Sequence, residues 1–167
     1  MNKTLKTIEF DKVLEILSGF AVSKLGKKRC LEVLPLVDSD EIKLAQTLTT
    51  QAQNAYRLSA SSIPVSGLED ITDALSLLKN KIALCVEDVK NIYGILCDAR
   101  KFSSFLHKYA ENEDKLFDYT HKLFVLTDIE QKIQDIFDAG FNVKESASLE
   151  LKSLFQAQRD TNENLKH

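Results

Sequence analysis

Glycine and proline are scarce in this chain of 167 residues, with five and two copies respectively, and tryptophan is absent. Folds made of many short strands need a turn residue every few positions, and so small a supply excludes them. Helices close their hydrogen bonds locally and need no such punctuation, so the expected fold class is all-α. The same scarcity bears on chemistry. Neither GxxxxGK[ST] nor GxGxxG occurs, so no glycine-rich loop is present to cradle the phosphates of a nucleotide. A GxSxG nucleophile elbow is also missing. The cysteines Cys30, Cys85 and Cys97 are odd in number and lack CxxC spacing, which excludes a disulfide framework or a zinc ribbon. They are expected to be reduced and in or near the core. No stretch reaches the roughly 18 apolar residues of a membrane span, and Met1–Phe10 lacks the basic start and apolar run of a secretory signal. The expected location is cytoplasmic, away from any membrane.

What is present fits an ordinary globular helical domain. Hydrophobic residues make up 44% and charged residues 28%, with a net charge of −3. That balance gives no global attraction to polyanions, so any such contact must rely on a local patch. Phe10, Val13, Leu14 and Leu17 recur at helical spacing, with Gly19 expected to end their helix. Ser23 is placed to cap a second helix through Leu31 and Leu34, stopped by Pro35. Gly26 inside it suggests a close helix–helix approach. Asp38 and Glu41 read as a capping box opening a helix to about Ser59, whose inner stripe is Leu44, Leu48, Ala52 and Ala55. After the loop at 59–67, a helix over 69–80 turns Ile71, Ala74, Leu75 and Leu78 inward.

From Val86, the stripe Val89, Ile92, Tyr93, Leu96, Ala99, Phe102, Leu106 and Tyr109 predicts a rod of about 35 Å. Shorter helices follow over 114–123 and 128–137. Asp138-Ala139-Gly140 breaks the second of them. Ser148 then caps a last helix bearing Leu149, Leu151, Leu154 and Phe155. Beyond Phe155 the sequence stays polar and helix-compatible, with Leu165 as its one apolar anchor. A polar helix without a stop signal is expected to continue into something further.

Three groups of residues invite a chemical reading. Asp118 and His121 stand three residues apart with Asp114 one turn earlier, but di-metal bundles need such a pair twice, with facing carboxylates. His107 has no comparable partner. This group reads as a solvated helix face. Lys24, Lys27, Lys28 and Arg29 form the densest basic cluster, with Lys3, Lys6 and Lys12 close in sequence. It lacks interleaved aromatics and is followed by Glu32, so it too reads as solvated surface. No catalytic, cofactor-binding or metal-ligating residue is assigned.

A more specific signal is the opening TLKTIEFDKVLEILSGFAVSKLGKKRCLEVLPLVDSDEI. Thr4, Leu5, Glu9, Phe10, Asp11 and Lys12 match a "T-L-x-x-L-E-F-D-K" pattern, and Ala21, Ser23, Gly26, Leu34 and Pro35 match "A-x-S-x-x-G" and "L-x-P". Val65-Ser66-Gly67-Leu68-Glu69-Asp70-Ile71 matches "L-G-G-I-x-D-I". Gly140, Val143, Glu145, Ser146, Ala147, Ser148, Glu150 and Leu151 match "G-x-V-x-D-S-A-S-P-E-L". In these motifs the chain resembles the N-terminal region of the bacterial MutS-related endonucleases that carry a C-terminal Smr domain, the recombination-suppressing branch of the mismatch-repair ATPase superfamily. Leu149 stands where that family often has proline, Glu145 where it has Asp, and Cys85 near where Ser or Thr often caps the long helix.

The resemblance implies an irregular array of long helices. Residues 1–145 would be a helical core domain, and 146–167 the truncated start of a long lever helix. It also implies a longer parent: a dimeric ATPase with ATP and Mg, a clamp and a nuclease domain, acting on branched DNA or on stalled ribosomes. None of the ATPase or nuclease residues falls within this chain, so the segment itself would be a non-catalytic scaffold needing no cofactor. In isolation it would be a monomer or a weak dimer. The alternative is a stand-alone helical protein-interaction module.

Overall fold

The computed structural model describes residues 5, 7–60, 62–65, 68–111 and 113–164. Lys3, Thr4, Lys6, Ser66, Gly67 and Leu165, named above, lie outside that set. The described backbone is helical and irregular, with one isolated antiparallel bridge between Phe137 and Val143. In chain order the helices are α1 (Phe10–Phe20), α2 (Lys24–Leu31), α3 (Ser39–Leu58), α4 (Thr72–Lys79), α5 (Val86–Tyr109), a 3-10 helix (Phe117–Lys122), α6 (Thr127–Ile136), a 3-10 turn (Glu145–Ala147) and α7 (Leu149–Asn164).

The 24-residue α5 is the spine, about 36 Å long at the standard rise. Its C-terminal half carries the densest packing, because Phe105 and the fully buried Leu106 meet Ala55 of α3 there. Phe102, Tyr109, Leu116 and Leu123 close around them. The apolar stripe expected on α5 is half-buried or buried throughout. The helix opens with a capping box: the Cys85 thiol accepts from the Asp88 amide at 3.5 Å, and the Asp88 carboxylate accepts from the Cys85 amide at 3.1 Å. Cys85 is therefore exposed at a helix end rather than in the core, whereas Cys30 and Cys97 are half-buried as expected.

Other caps follow the sequence. The Ser23 hydroxyl accepts from the Gly26 amide at 3.0 Å, and Ser148 accepts from Leu151 at 3.0 Å. Asp38 accepts from the amides of Asp40 and Glu41 at 2.9 and 3.0 Å. The return half of that box, from Glu41, does not form.

Several expectations are corrected. Gly19 lies inside α1, which ends where Ala21 turns extended. Helix α2 stops at Leu31 rather than Leu34. Pro35 has no N–H to give the Leu31 carbonyl, and a residue before proline is pushed out of the helical region. The glycine at 26 serves its own entry turn, not a neighbouring helix: a Cβ there would stand 3.0 Å from Ser23 Oγ and 3.4 Å from Ala21 Cβ. The helix expected over 114–123 is a 3-10 segment, tightened by Phe117, Tyr119 and Leu123 amides bonding three residues back and by Thr120 Oγ1 donating to the Phe117 carbonyl at 2.7 Å. Leu44, Leu75 and Leu78, expected inward, are 47%, 52% and 49% exposed. On the last helix Leu149 and Leu154 are 89% and 60% exposed.

With glycine so rare, left-handed helix ends fall to other residues. Among the described residues no glycine has positive φ, while Ala60, Lys81 and Phe141 have φ of 54°, 57° and 61°. After α4, the Lys81 amide bonds the Leu78 carbonyl and the Ile82 amide bonds that of Leu77, at 2.9 and 3.0 Å. This is the Schellman pattern, with lysine at the position glycine prefers. Lys81→Gly is therefore expected to stabilise the chain by about 0.5–1 kcal/mol, read as a raised urea midpoint. An unchanged or lowered midpoint would count against strain at that residue.

Candidate functional site

The residues singled out from the sequence do not converge. Asp118 faces Lys115 at 3.9 Å, and His121 packs edge-on to Phe117. His107 Nδ1 lies 2.8 Å from the Ser103 carbonyl and its ring meets the other side of Phe117. Among the described residues no group of three or more His, Cys, Asp or Glu side chains is placed to hold a metal ion. The basic cluster on α2 is locally compensated. Lys24 pairs with Glu69 at 2.8 Å, and Arg29 with Glu32 at 3.6 Å. Lys28 stands close enough to Asp70 to help hold its carboxyl below the usual range, after the larger effect of hydrogen bonds from Thr72. That surface is a mixed ionic seam joining the α1–α2 hairpin to the segment before α4.

Composition and spacing gave no signal for the polar seam between α5 and α6. Glu130 is only 5% exposed. Both its oxygens accept from Arg100 Nε, at 3.2 and 3.0 Å, and Cys97 Sγ lies 3.5 Å from one of them. The charge-assisted hydrogen bonds hold the Arg100 proton more tightly than usual. One turn along, Gln134 Nε2 donates to the Tyr93 hydroxyl at 2.7 Å. A glutamate in an amphipathic helix is read as solvent-facing by default, and only the tertiary approach of Arg100 reverses that.

Beside the seam lies a cleft of about 550 Å³ walled by Tyr93, Phe137 and Phe141, with Asp138 and Lys144 at its rim. Its rings pack on one another at centroid distances of 5.6 and 5.2 Å. Its polar groups are already engaged: Lys144 Nζ donates to the Gln134 carbonyl at 2.6 Å, and Asp138 Oδ1 accepts from the amides of Gly140 and Asn142 at 2.8 and 2.9 Å. The cleft is thus a structural corner that locks the 138–143 turn. The Asn142 amide is the largest influence holding the Asp138 carboxyl below its ordinary value, with its side chain, the Gly140 amide and Lys144 adding to it. A carboxyl whose folded pKa is depressed stabilises the fold above its unfolded pKa, near 3.8, and that contribution is lost as pH falls through the folded value. The turn should loosen only below about pH 4. Carboxyl-carbon NMR titration with exchange of the Asn142 amide would check this; a midpoint at or above the ordinary aspartate value would contradict it.

Among the described residues the longest-range hydrogen bond ties α3 to the segment after α5, with the Leu116 amide donating to Gln51 Oε1 at 3.0 Å. At the C-terminal end Arg159 pairs with Glu145, fastening α7 to the 3-10 turn before it. Among the described residues no helix is long and apolar enough to cross a membrane.

Comparison with known proteins gives these observations a context. No family model matches the chain. Curated relatives do. The chain is 31% identical over 156 residues to the endonuclease MutS2 of Pediococcus pentosaceus, covering 91% of this chain and 20% of that protein. It is 30% identical over 171 residues to the endonuclease MutS2 of Lachnoclostridium phytofermentans, covering 98% and 21%. It is 30% identical over 155 residues to the putative endonuclease MutS2 of Bacillus subtilis, covering 91% and 20%. The chain spans about a fifth of the length of these relatives. Through almost all of its residues, this all-helical chain is a homologue of one segment of the proteins named endonuclease MutS2.

Proposed function

We propose that the chain is the non-catalytic helical core segment of a longer MutS-type ATPase and endonuclease. The parent works in the cytoplasm as a homodimer, binds ATP and Mg through parts beyond this segment, and grips branched DNA to restrain recombination. The segment passes rigid-body motion between a clamp and the ATPase domains. Residues 1–145 form the core, and 146–167 begin a lever helix.

The observation that carries this reading is surface area. The chain exposes 12,830 Å², whereas a compact monomer of 18.9 kDa exposes about 8,300 Å² by the usual size scaling. The excess of roughly 4,500 Å² corresponds to several standard contact faces of about 800 Å² each. It is apolar in the right places: Phe20, Val22 and Leu34 on and after the α1–α2 hairpin are 81%, 77% and 65% exposed, and Val37 is 95% exposed. On the proposed reading these side chains are covered by other parts of the parent.

Two measurements test the proposal. On this reading the isolated chain should neither hydrolyse ATP nor nick DNA. The reading frame after codon 167 should reach a GxxxxGK[ST] loop. A stop codon there would favour a stand-alone helical interaction module, whose partner would cover the same apolar faces. A parent that acts on stalled ribosomes instead of DNA would show itself by ribosome co-sedimentation of the full-length protein.

A further inference from the structure

The basic residues that sequence density picks out stand among carboxylates, yet a different set does not. A groove of about 470 Å³ runs between the C-terminal half of α5 and the loop after α3. Lys101, Ser104, Phe105 and Lys108 line one wall; at spacings of three, four and seven residues they share a single helix face. Ser59, Ser62 and Pro64 form the opposite wall, and Arg100 closes one end. No carboxylate lines this groove. Among the described residues Lys101 and Lys108 enter no ion pair, although Asp98 and Glu111 are their neighbours in sequence. Arg100 donates to Glu130 through Nε, and its side chain is 42% exposed. Lys108 Nζ rests 5.0 Å from the centre of the Tyr109 ring, which restricts the ammonium without neutralising it. By contrast, the pocket beside the α2 cluster is lined by Glu32, Glu69 and Asp70 as well as by Lys28 and Arg29.

We propose that this groove binds the phosphodiester backbone of a nucleic acid, with Lys101 and Lys108 as its principal contacts and the Arg100 guanidinium edge as a third. The two lysines are seven residues apart on α5, about 10 Å along its axis. That equals roughly three phosphates at the 3.4 Å rise of one strand. The serine hydroxyls and the half-buried Tyr109 supply polar, uncharged lining suited to sugar and phosphate oxygens. Contacts to the phosphodiester backbone carry no base information, so this binding is expected to be independent of sequence. The choice of nucleic acid over other polyanions rests on the function proposed above; the unpaired charge does not.

The test is fluorescence anisotropy of this chain with labelled 20-nucleotide single-stranded DNA, duplex DNA and RNA at about 50 mM and 200 mM salt. The double variant Lys101→Glu/Lys108→Glu should bind at least ten-fold more weakly and flatten the salt dependence by about 1.4–1.8 in the log–log slope, as the loss of two phosphate contacts requires. Lys101→Arg/Lys108→Arg should keep the parent's affinity. Lys27→Glu/Lys28→Glu, equal in charge change but on α2, where Glu32, Glu69 and Asp70 stand near the basic cluster, should shift affinity by less than about three-fold. Circular dichroism of each variant guards against unfolding, since all four lysines are exposed. Equal losses from both charge reversals, unaffected binding in the groove variant, or no binding by the parent chain at low salt would each overturn the proposal. Those outcomes leave the parent's ATPase motif, sought in the reading frame, untouched, so the two readings fail separately.

Discussion

Leu106→Ala is expected to remove about 3 kcal/mol of stability, within the range of 2–5 kcal/mol for buried leucines. Leu106 has no exposed surface and sits where α3, α5 and the segment after α5 converge. Among the described residues the fully or nearly buried apolar set is short, comprising Leu14, Ala55, Ala74, Phe105, Leu106 and Ala110. Three of these are alanines, too small to fill the space that Leu106 would leave. For a chain of this size a loss of about 3 kcal/mol lowers Tm by roughly 6–12 °C. The matched control is Phe20→Ser, at a side chain that is larger but 81% exposed. It should move the urea midpoint of the isolated chain by less than about 0.5 kcal/mol equivalent. If the two substitutions cost the same, the placement of the core at the C-terminal half of α5 is wrong.

Arg100→Met should cost about 3 kcal/mol and Glu130→Gln only about 1 kcal/mol, although both break the same ion pair. The asymmetry follows from where each partner would be left. Without Arg100, Glu130 keeps a charge on a side chain that is 6% exposed, and few groups besides the Cys97 thiol can answer it. Without the charge on Glu130, Arg100 turns its 42% exposed side chain to water. Replacing both, as Arg100→Met/Glu130→Leu, should cost less than Arg100→Met alone, because the desolvation penalty disappears with the charges. Urea unfolding of the three variants gives a coupling energy. Equal single-variant costs would mean that Glu130 is hydrated in solution.

How much of this was legible beforehand depends on the range of the interactions concerned. Helix α5 begins and ends at Val86 and Tyr109, where its stripe begins and ends, because a 24-residue apolar repeat overwhelms local ambiguity. The caps at Ser23, Asp38 and Ser148 were equally plain, since a cap bonds only to its own first turn. Failures cluster where the deciding partner is distant or unusual. Gly19 looked like a stop, yet left-handed turns fell to Ala60, Lys81 and Phe141. Leu75 and Leu78 carried the right period for an inner face, but periodicity reports which side of a helix is apolar, not whether anything covers it. The burial of Glu130 depends on Arg100, 30 residues earlier, and no local pattern encodes that approach. The basic groove stayed hidden for the same reason: Lys101 and Lys108 are not dense in sequence, and the lack of any carboxylate lining their groove is a tertiary fact.

Among the described residues, the Lys24–Glu69 pair ties the α1–α2 hairpin to the remainder, and Leu25 lines one pocket with Ile71 and Ile95; this has a consequence during synthesis. Emerging from the ribosome, the hairpin has all of its internal partners once residue 31 is out. Helix α3 does not: Gln51 waits for Leu116, 65 residues later, and Ala55 waits for the end of α5. Translation at about 5–20 residues per second makes that wait several seconds. For that interval α3 has no tertiary partner, while the hairpin ahead of it already has its final form.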